Sequence, residues 1–194
     1  MDGGLVGGRL FFPGVEYITG GPFAMAAQSS LIPVEEYLKM TSEPDCEYVA
    51  GAIEVRPAGE LEHASWQKAL LGWFLGKESE WQVKVYPELR VQTGLDRFRV
   101  PDVTLLGRNA PREQIITHAP LAVFEILSPE DTMTRMLEKL ADYECMGIGA
   151  IWLIDPKKQL YYQYRNGQLA PGAIFELPGG ALSVPFAKIA ELAD

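Results

Sequence analysis

The segment from residue 121 to residue 155 constrains this chain more than any other. Residues 121–127, Leu-Ala-Val-Phe-Glu-Ile-Leu, form a nearly continuous apolar run, the mark of a strand buried on both faces. Ser128-Pro129-Glu130-Asp131 then offers a capping residue, a proline and two acids ahead of a helix of about fifteen residues ending near Gly147. Met136, Leu140 and Tyr143 form the inward stripe of that helix. Residues 148–155 are a second apolar run, so strand, helix and strand make a crossover unit whose two strands are parallel neighbours.

The rest of the pattern builds outward from this unit. Pro33 opens a short helix at 34–38, and Glu47-Tyr48-Val49 and Ile53-Glu54-Val55 form a hairpin about Gly51. A longer helix is predicted over 62–78, with His63, Trp66, Leu70, Trp73 and Phe74 on one side. Strands follow at 81–86, 89–93 and 98–106. The last contains Pro101, which has no amide donor and belongs at an edge or a kink. Downstream, a strand at 160–164 is followed by an Asn166-Gly167 turn and a strand at 174–177. The fold class is α/β, a mixed central sheet with flanking helices.

Residues 1–30 are rich in Gly, Ala and Ser without periodicity and read as a flexible leader, in which Met25 is a candidate start. Residues 31–194 read as one domain, for which a chain of 194 residues is long enough. No basic segment followed by an apolar core marks a signal peptide, and no stretch is apolar enough to span a membrane, so a soluble, cytoplasmic protein without a membrane partner is expected. Cys46 and Cys145 bear no spacing relation to each other or to His63 and His118, which indicates neither a disulfide framework nor a zinc site. The net charge of −9 opposes nucleic-acid binding unless basic residues cluster locally.

Two acids stand where strands disfavour them: Asp102, directly after Pro101, and Glu125, inside the apolar run. A carboxylate on a buried strand is costly unless it is paired or bound to metal. Brought together at adjacent strand ends, the two would make an oxygen-ligand site for Mg²⁺ (or Mn²⁺). The alternative is a salt bridge for each, with Arg97, Arg99 or Lys139 as partner. Lys139 borders the apolar stripe of its helix, so its stem can lie on the sheet while the amine reaches both carboxylates. It can equally be a surface lysine paired with Asp142.

The ordered set Phe98-Arg99-Val100-Pro101-Asp102-Val103, Phe124-Glu125-Ile126-Leu127-Ser128-Pro129, Lys139 with Tyr143 four on, and Gly147-Ile148 leading into Trp152-Leu153-Ile154-Asp155-Pro156 resembles the Uma two family of endonucleases. Glu47-Tyr48 with Gly51 and Glu54 resembles that family's acidic hairpin, and His63 its histidine at the start of the long helix. The resemblance implies a restriction-endonuclease-like PD-(D/E)XK core in which Asp102 and Glu125 are the metal-binding acids. It further implies that the Ile126 backbone carbonyl is a third ligand and that Glu47 is an additional ligand or a water-orienting base. The place of the motif's lysine, two residues after Glu125, is held here by Leu127, and the resemblance implies that Lys139 substitutes for it. Where the family often has an acid shortly before that lysine, this chain reads Arg135.

Three functions compete. The first is a divalent-metal-dependent endonuclease on DNA. The second is a degenerate nuclease fold serving as a non-catalytic binding or dimeric interaction module. The third, a carboxylate-pair glycosidase, ranks last because nothing resembles a sugar platform. Convergence of Arg90, Arg97, Arg99, Arg108 and Arg112 around Asp102 would favour nucleic acid. A homodimer is expected on the same charge argument, with the tyrosine-bearing strand at 160–164 as its interface.

Overall fold

The computed structural model describes residues 31–40, 46–56, 59–177 and 182–193, so the leader expected at residues 1–30 lies outside the described residues. In chain order the elements begin with α1 (Val34–Tyr37), β1 (Cys46–Val49), β2 (Ala52–Val55), α2 (Leu61–Leu75) and α3 (Glu78–Trp81). Then come β3 (Val83–Pro87), β4 (Val91–Gly94), β5 (Arg97–Arg99), β6 (Val103–Gly107), β7 (Ala122–Ile126) and α4 (Met133–Met146). The chain closes with β8 (Ala150–Asp155), β9 (Leu160–Arg165), β10 (Gln168–Pro171), β11 (Ile174–Glu176), β12 (Ser183–Pro185) and α5 (Phe186–Ala190).

A six-stranded sheet of order β10-β9-β8-β7-β6-β3 carries the crossover unit at its centre. β7 and β8 are parallel, as the two apolar runs predict, and the other neighbours are antiparallel. The two-residue period of β7 decides which helix each side chain meets. Ala122, Phe124 and Ile126 join the core formed with Trp66, Leu70 and Phe74 of α2 and Phe186 of α5. Val123 packs on the other face with Met136, Leu140 and Tyr143 of α4. Each such Leu or Phe, fully buried, contributes roughly 1.5–3 kcal/mol. Glu125 has the parity of Val123, so the sheet itself directs this acid toward α4.

A second, antiparallel sheet has the order β2-β1-β5-β4. Tyr37 of α1 stacks on Tyr48 at 4.8 Å and meets Phe98 at 5.2 Å, giving this sheet a small aromatic core of its own. Its β1–β2 turn places Ala50 and Gly51 at φ 48° and 91°, the two positive values of a tight hairpin turn. A Cβ on Gly51 would also lie 2.8 Å from that of Leu31, so glycine is required there twice over.

Several boundaries differ from the sequence pattern, each for a local reason. The run at 98–106 is two strands, because Val100-Pro101-Asp102 leaves the four-stranded sheet and enters the six-stranded one. Pro101 sits at that kink. The long helix stops at Leu75, and Trp81 ends α3 instead of starting a strand, since Gln82 takes a left-handed φ of 52° before β3. Thr132, not Ser128, caps α4. Its side chain accepts the Arg135 amide, while the Ser128 amide donates to Asp131 Oδ2 at 2.8 Å within the preceding loop. The Asn166-Gly167 turn leads into β10, which the pattern does not reveal, and β11 pairs with β12.

Gly172, just after β10, lies against the buried indole of Trp152. A Cβ there would stand 2.8 Å from the ring. Phe186 at 4.9 Å and Phe175 at 6.3 Å hemmed against the same indole leave it little room to shift. Gly172→Ala is expected to cost about 1–3 kcal/mol as overpacking, read as a lower midpoint in urea unfolding with an unchanged slope.

Candidate active site

The site forms where the chain passes from the four-stranded sheet to the six-stranded one. Asp102 stands one residue before β6 and beside the end of β7. Its Oδ2 accepts the Ile126 amide at 2.8 Å and lies 3.2 Å from His63 Nε2. Oδ1 accepts from Arg56 Nη2 at 2.6 Å. Gln67 Nε2 donates to the Asp102 backbone carbonyl at 3.0 Å. His63 and Gln67 are four residues apart on α2, so one helix face holds both the side chain and the backbone of Asp102. Burial opposes the Asp102 charge, yet the His63 hydrogen bond and the charges of Lys139, His63 and Arg56 hold its pKa below the ordinary carboxylate value. Burial likewise opposes the His63 charge, but the hydrogen bond to Asp102 and the negative charges of Asp102 and Glu125 together raise the imidazole pKa.

Glu125 is gripped from α4. Lys139 Nζ lies 2.8 Å from its Oε2, and the Tyr143 hydroxyl donates to Oε1 at 2.6 Å. The same ammonium reaches Glu47 Oε1 at 2.7 Å and the Val100 carbonyl at 3.2 Å. Glu47 also accepts the Val100 amide at 3.0 Å and Arg99 Nη1 at 2.9 Å. One ammonium therefore serves two buried carboxylates, and Glu47 has the better of it. Burial pushes the Glu47 pKa up, but Lys139 and Arg99 bring it below its usual value. Burial dominates at Glu125. Lys139 lowers its pKa, the charges of Asp102 and Glu47 raise it again, and it stands at about 7.

Asp102, Glu125, Lys139, Glu47 and Ile126 all line one cavity of about 370 Å³, joined by Arg56 and His63. Glu88 and Asp131 at its wall bring the carboxylates to five, against the fixed cations Arg56, Arg135 and Lys139. With all five carboxylates ionised and His63 neutral the lining is negative in excess by two charges, and protonation of Glu125, whose pKa stands at about 7, or of His63 lowers that excess. Among the described residues, no group of three or more His, Cys, Asp or Glu is placed to hold a metal ion. Mg²⁺ does not require one, since it commonly takes one or two carboxylates and completes its shell with water and substrate phosphate. Asp102 and Glu125 are two carboxylates that line the same cavity.

Of the alternatives left open by the sequence, Lys139 is a buried site residue, and Asp142 pairs instead with Arg97 and Arg99. The arginines whose convergence on Asp102 would have favoured nucleic acid do not converge there. Arg99 is fully buried among Glu47, Glu54 and Asp142, Arg97 turns to Asp142, and Arg90 lies 5.0 Å over the Tyr37 ring. Arg108 and Arg112 are not part of the cavity lining. Arg56 and Arg135 take the place at the cavity, and no local pattern in the sequence marks them. Tyr143, in the sequence a member of the apolar stripe and part of the family pattern four residues after Lys139, meets Glu125, the same partner as Lys139. Trp66 packs in the main core, and the half-buried Trp73 and Trp81 pack against it.

The family Uma2, described as "Putative restriction endonuclease", matches residues 34–185. The chain belongs to the Uma2 family. Its fold is restriction-endonuclease-like. The crystal structure of "a putative nuclease belonging to DUF820" from Anabaena variabilis is 26% identical and superposes with a TM-score of 0.73, covering 82% of this Uma2 chain and 98% of that one. A cryo-electron-microscopy structure of a DrdV–DNA complex is 18% identical with a TM-score of 0.38, covering 67% of this chain and 11% of that one, a likeness too low to bear on the site. No curated protein matches the sequence. The matched span contains every residue of the cavity named above.

Proposed function

We propose that this Uma2 protein is an endonuclease that hydrolyses DNA phosphodiester bonds with Mg²⁺ or Mn²⁺ held by Asp102 and Glu125. The observation that carries the reading is the meeting of these two strand acids, from separate segments, in one cavity beside the buried Lys139 ammonium. Ile126 supports it further. Its amide already faces Asp102, and in an extended strand the carbonyl of a residue points to the same side as its amide. When bound, the cation would polarise the scissile phosphoryl group and make water a better nucleophile.

The protein's own groups do the positioning. His63 and the Ile126 amide orient Asp102, Tyr143 orients Glu125, and Glu47 holds Lys139 where charge develops on the phosphoryl oxygens. The direct test is a divalent-metal series on plasmid and oligonucleotide DNA, run beside Asp102→Ala. Metal-dependent nicking by the native chain alone is expected. A protein that binds DNA but never cuts it, whatever the metal, sustains the competing reading of a non-catalytic binding module. That reading is favoured by the complete pairing of all four carboxylate oxygens of Asp102 and Glu125 within the protein.

The proposal includes a homodimer, on charge grounds: a chain of net charge −9 gains a second basic surface and a second site by pairing about a two-fold axis. The tyrosines of β9, the interface expected from the sequence, also pack within the chain, although Tyr161 and Tyr162 stay half-buried. Tyr161 stacks on Phe186 at 4.6 Å, Tyr164 is buried, and β9 is paired along both edges. Light scattering at micromolar concentration is expected to give twice the chain mass. A monomeric mass that persists with metal and DNA removes the dimer.

A further inference from the structure

Arg56 is the residue at the cavity that neither the sequence pattern nor the metal reading accounts for. It follows β2 directly, its side chain is 14% exposed, and its Nη2 makes the shortest contact to Asp102, 2.6 Å from Oδ1. The other oxygen of that carboxylate is taken by the Ile126 amide and His63, which orient it. Oδ1 is thus the oxygen a cation would claim, and a guanidinium sits on it. Arg56 has a second anchor: Nη1 lies 3.3 Å from Oε1 of Glu88, a half-exposed acid that also lines the cavity. A guanidinium leaving Asp102 therefore keeps a counter-charge at the wall and is not stranded in a buried position, which makes the exchange feasible.

We infer that Arg56 is a resident counter-ion of Asp102, which a divalent cation displaces toward Glu88 when it binds. The inference rests on the metal reading above and adds to it a gate made by this chain's own side chain. A ligand that must first displace a competitor binds more weakly by the fraction of molecules in which the competitor is away. A charge-assisted pair at this depth leaves roughly one molecule in ten, or fewer, open at equilibrium. Removing the guanidinium should then tighten cation binding by about ten-fold or more. A purely structural Arg56 predicts the opposite, since its loss would loosen Asp102 and weaken binding.

The test is Mn²⁺ binding to the full chain, followed by electron paramagnetic resonance with no DNA present, in the native protein, Arg56→Gln and Arg56→Lys. Arg56→Gln is expected to bind Mn²⁺ about ten-fold tighter, and Arg56→Lys, which keeps a charge but loses the planar fork, to fall between it and the native protein. Adding Asp102→Asn to Arg56→Gln should abolish the gain. Equal or weaker binding by the folded Arg56 variants overturns the gate while leaving the metal site standing. No Mn²⁺ binding by any of the proteins overturns the metal reading and the gate with it. Should Arg56→Gln fail to fold, the lysine variant decides alone, tighter binding supporting the inference and unchanged binding overturning it.

Discussion

Lys139→Met is expected to lose roughly 10²–10³-fold in DNA turnover, the scale of removing one preorganised charge from a developing oxyanion. Divalent-cation affinity, measured in mildly alkaline buffer, should not fall with it, because the ammonium competes with the cation for Glu125 Oε2. The two readouts separate the roles: lost turnover with retained cation binding places the ammonium at the reacting phosphate. A variant that cuts at the native rate reduces Lys139 to a counter-ion of Glu47 and Glu125. Methionine keeps the buried stem but leaves both carboxylates without their shared cation, and breaking a buried pair costs about 3–5 kcal/mol. Lys139→Arg therefore runs alongside as the variant that retains the charge. Its planar, forked guanidinium replaces a compact point charge, so it should fold well and still turn over poorly.

Arg99→Met should unfold more readily than any surface substitution in the chain. The guanidinium is fully buried and bonded to three acids, Glu47 at 2.9 Å, Glu54 at 3.0 Å and Asp142 at 2.8 Å. Burial opposes its charge, and Glu47 and Asp142 more than restore it, leaving its pKa above the ordinary arginine value. Removing it leaves those acids without their shared cation, at a cost of about 3–5 kcal/mol, or a fall in melting temperature of roughly 10 °C for a domain of this size. Arg97 offers the control. It pairs with the same Asp142, at 3.2 Å, but its side chain is 39% exposed, so Arg97→Met should cost no more than about 1 kcal/mol. Equal effects in calorimetry would mean that burial does not set the strength of this network.

What could be read before the structure was local in character. The crossover unit was visible because an apolar run, a capped amphipathic stripe and a second apolar run each span fewer than twenty residues, roughly, and each has a period. Glu125 stood out for the same reason, as the one charge in its run, and Lys139 because its distance from that stripe is fixed by helix geometry. Asp102 was marked by Pro101, yet the division of its strand between two sheets was not, since that depends on which strands dock and not on the residues of the kink. Arg56 reaches Asp102 across 46 positions and Arg99 reaches Glu47 across 52, contacts that no window along the chain contains. The arginines between residues 90 and 112 do not converge, because Arg97 and Arg99 of β5 both turn to Asp142 while Arg90, Arg108 and Arg112 lie outside the strands. β10 escaped because Gln168-Leu169-Ala170-Pro171 has no alternation strong enough to outweigh its proline.

The passage of Val100-Pro101-Asp102 from one sheet to the other has a kinetic side. These three residues receive contacts from Glu47, Arg56, His63, Ile126 and Lys139, and those contacts close loops of 24 to 53 residues. Contacts of such separation form only after the entropy of closing those loops has been met, which sets them late in folding. A nascent or partly unfolded chain can hold a hairpin, or the β7-α4-β8 unit, and still lack an arrangement able to cut. Under the proposed function, topology of this kind would be a safeguard: the capacity to cut DNA would come into being only with the finished fold.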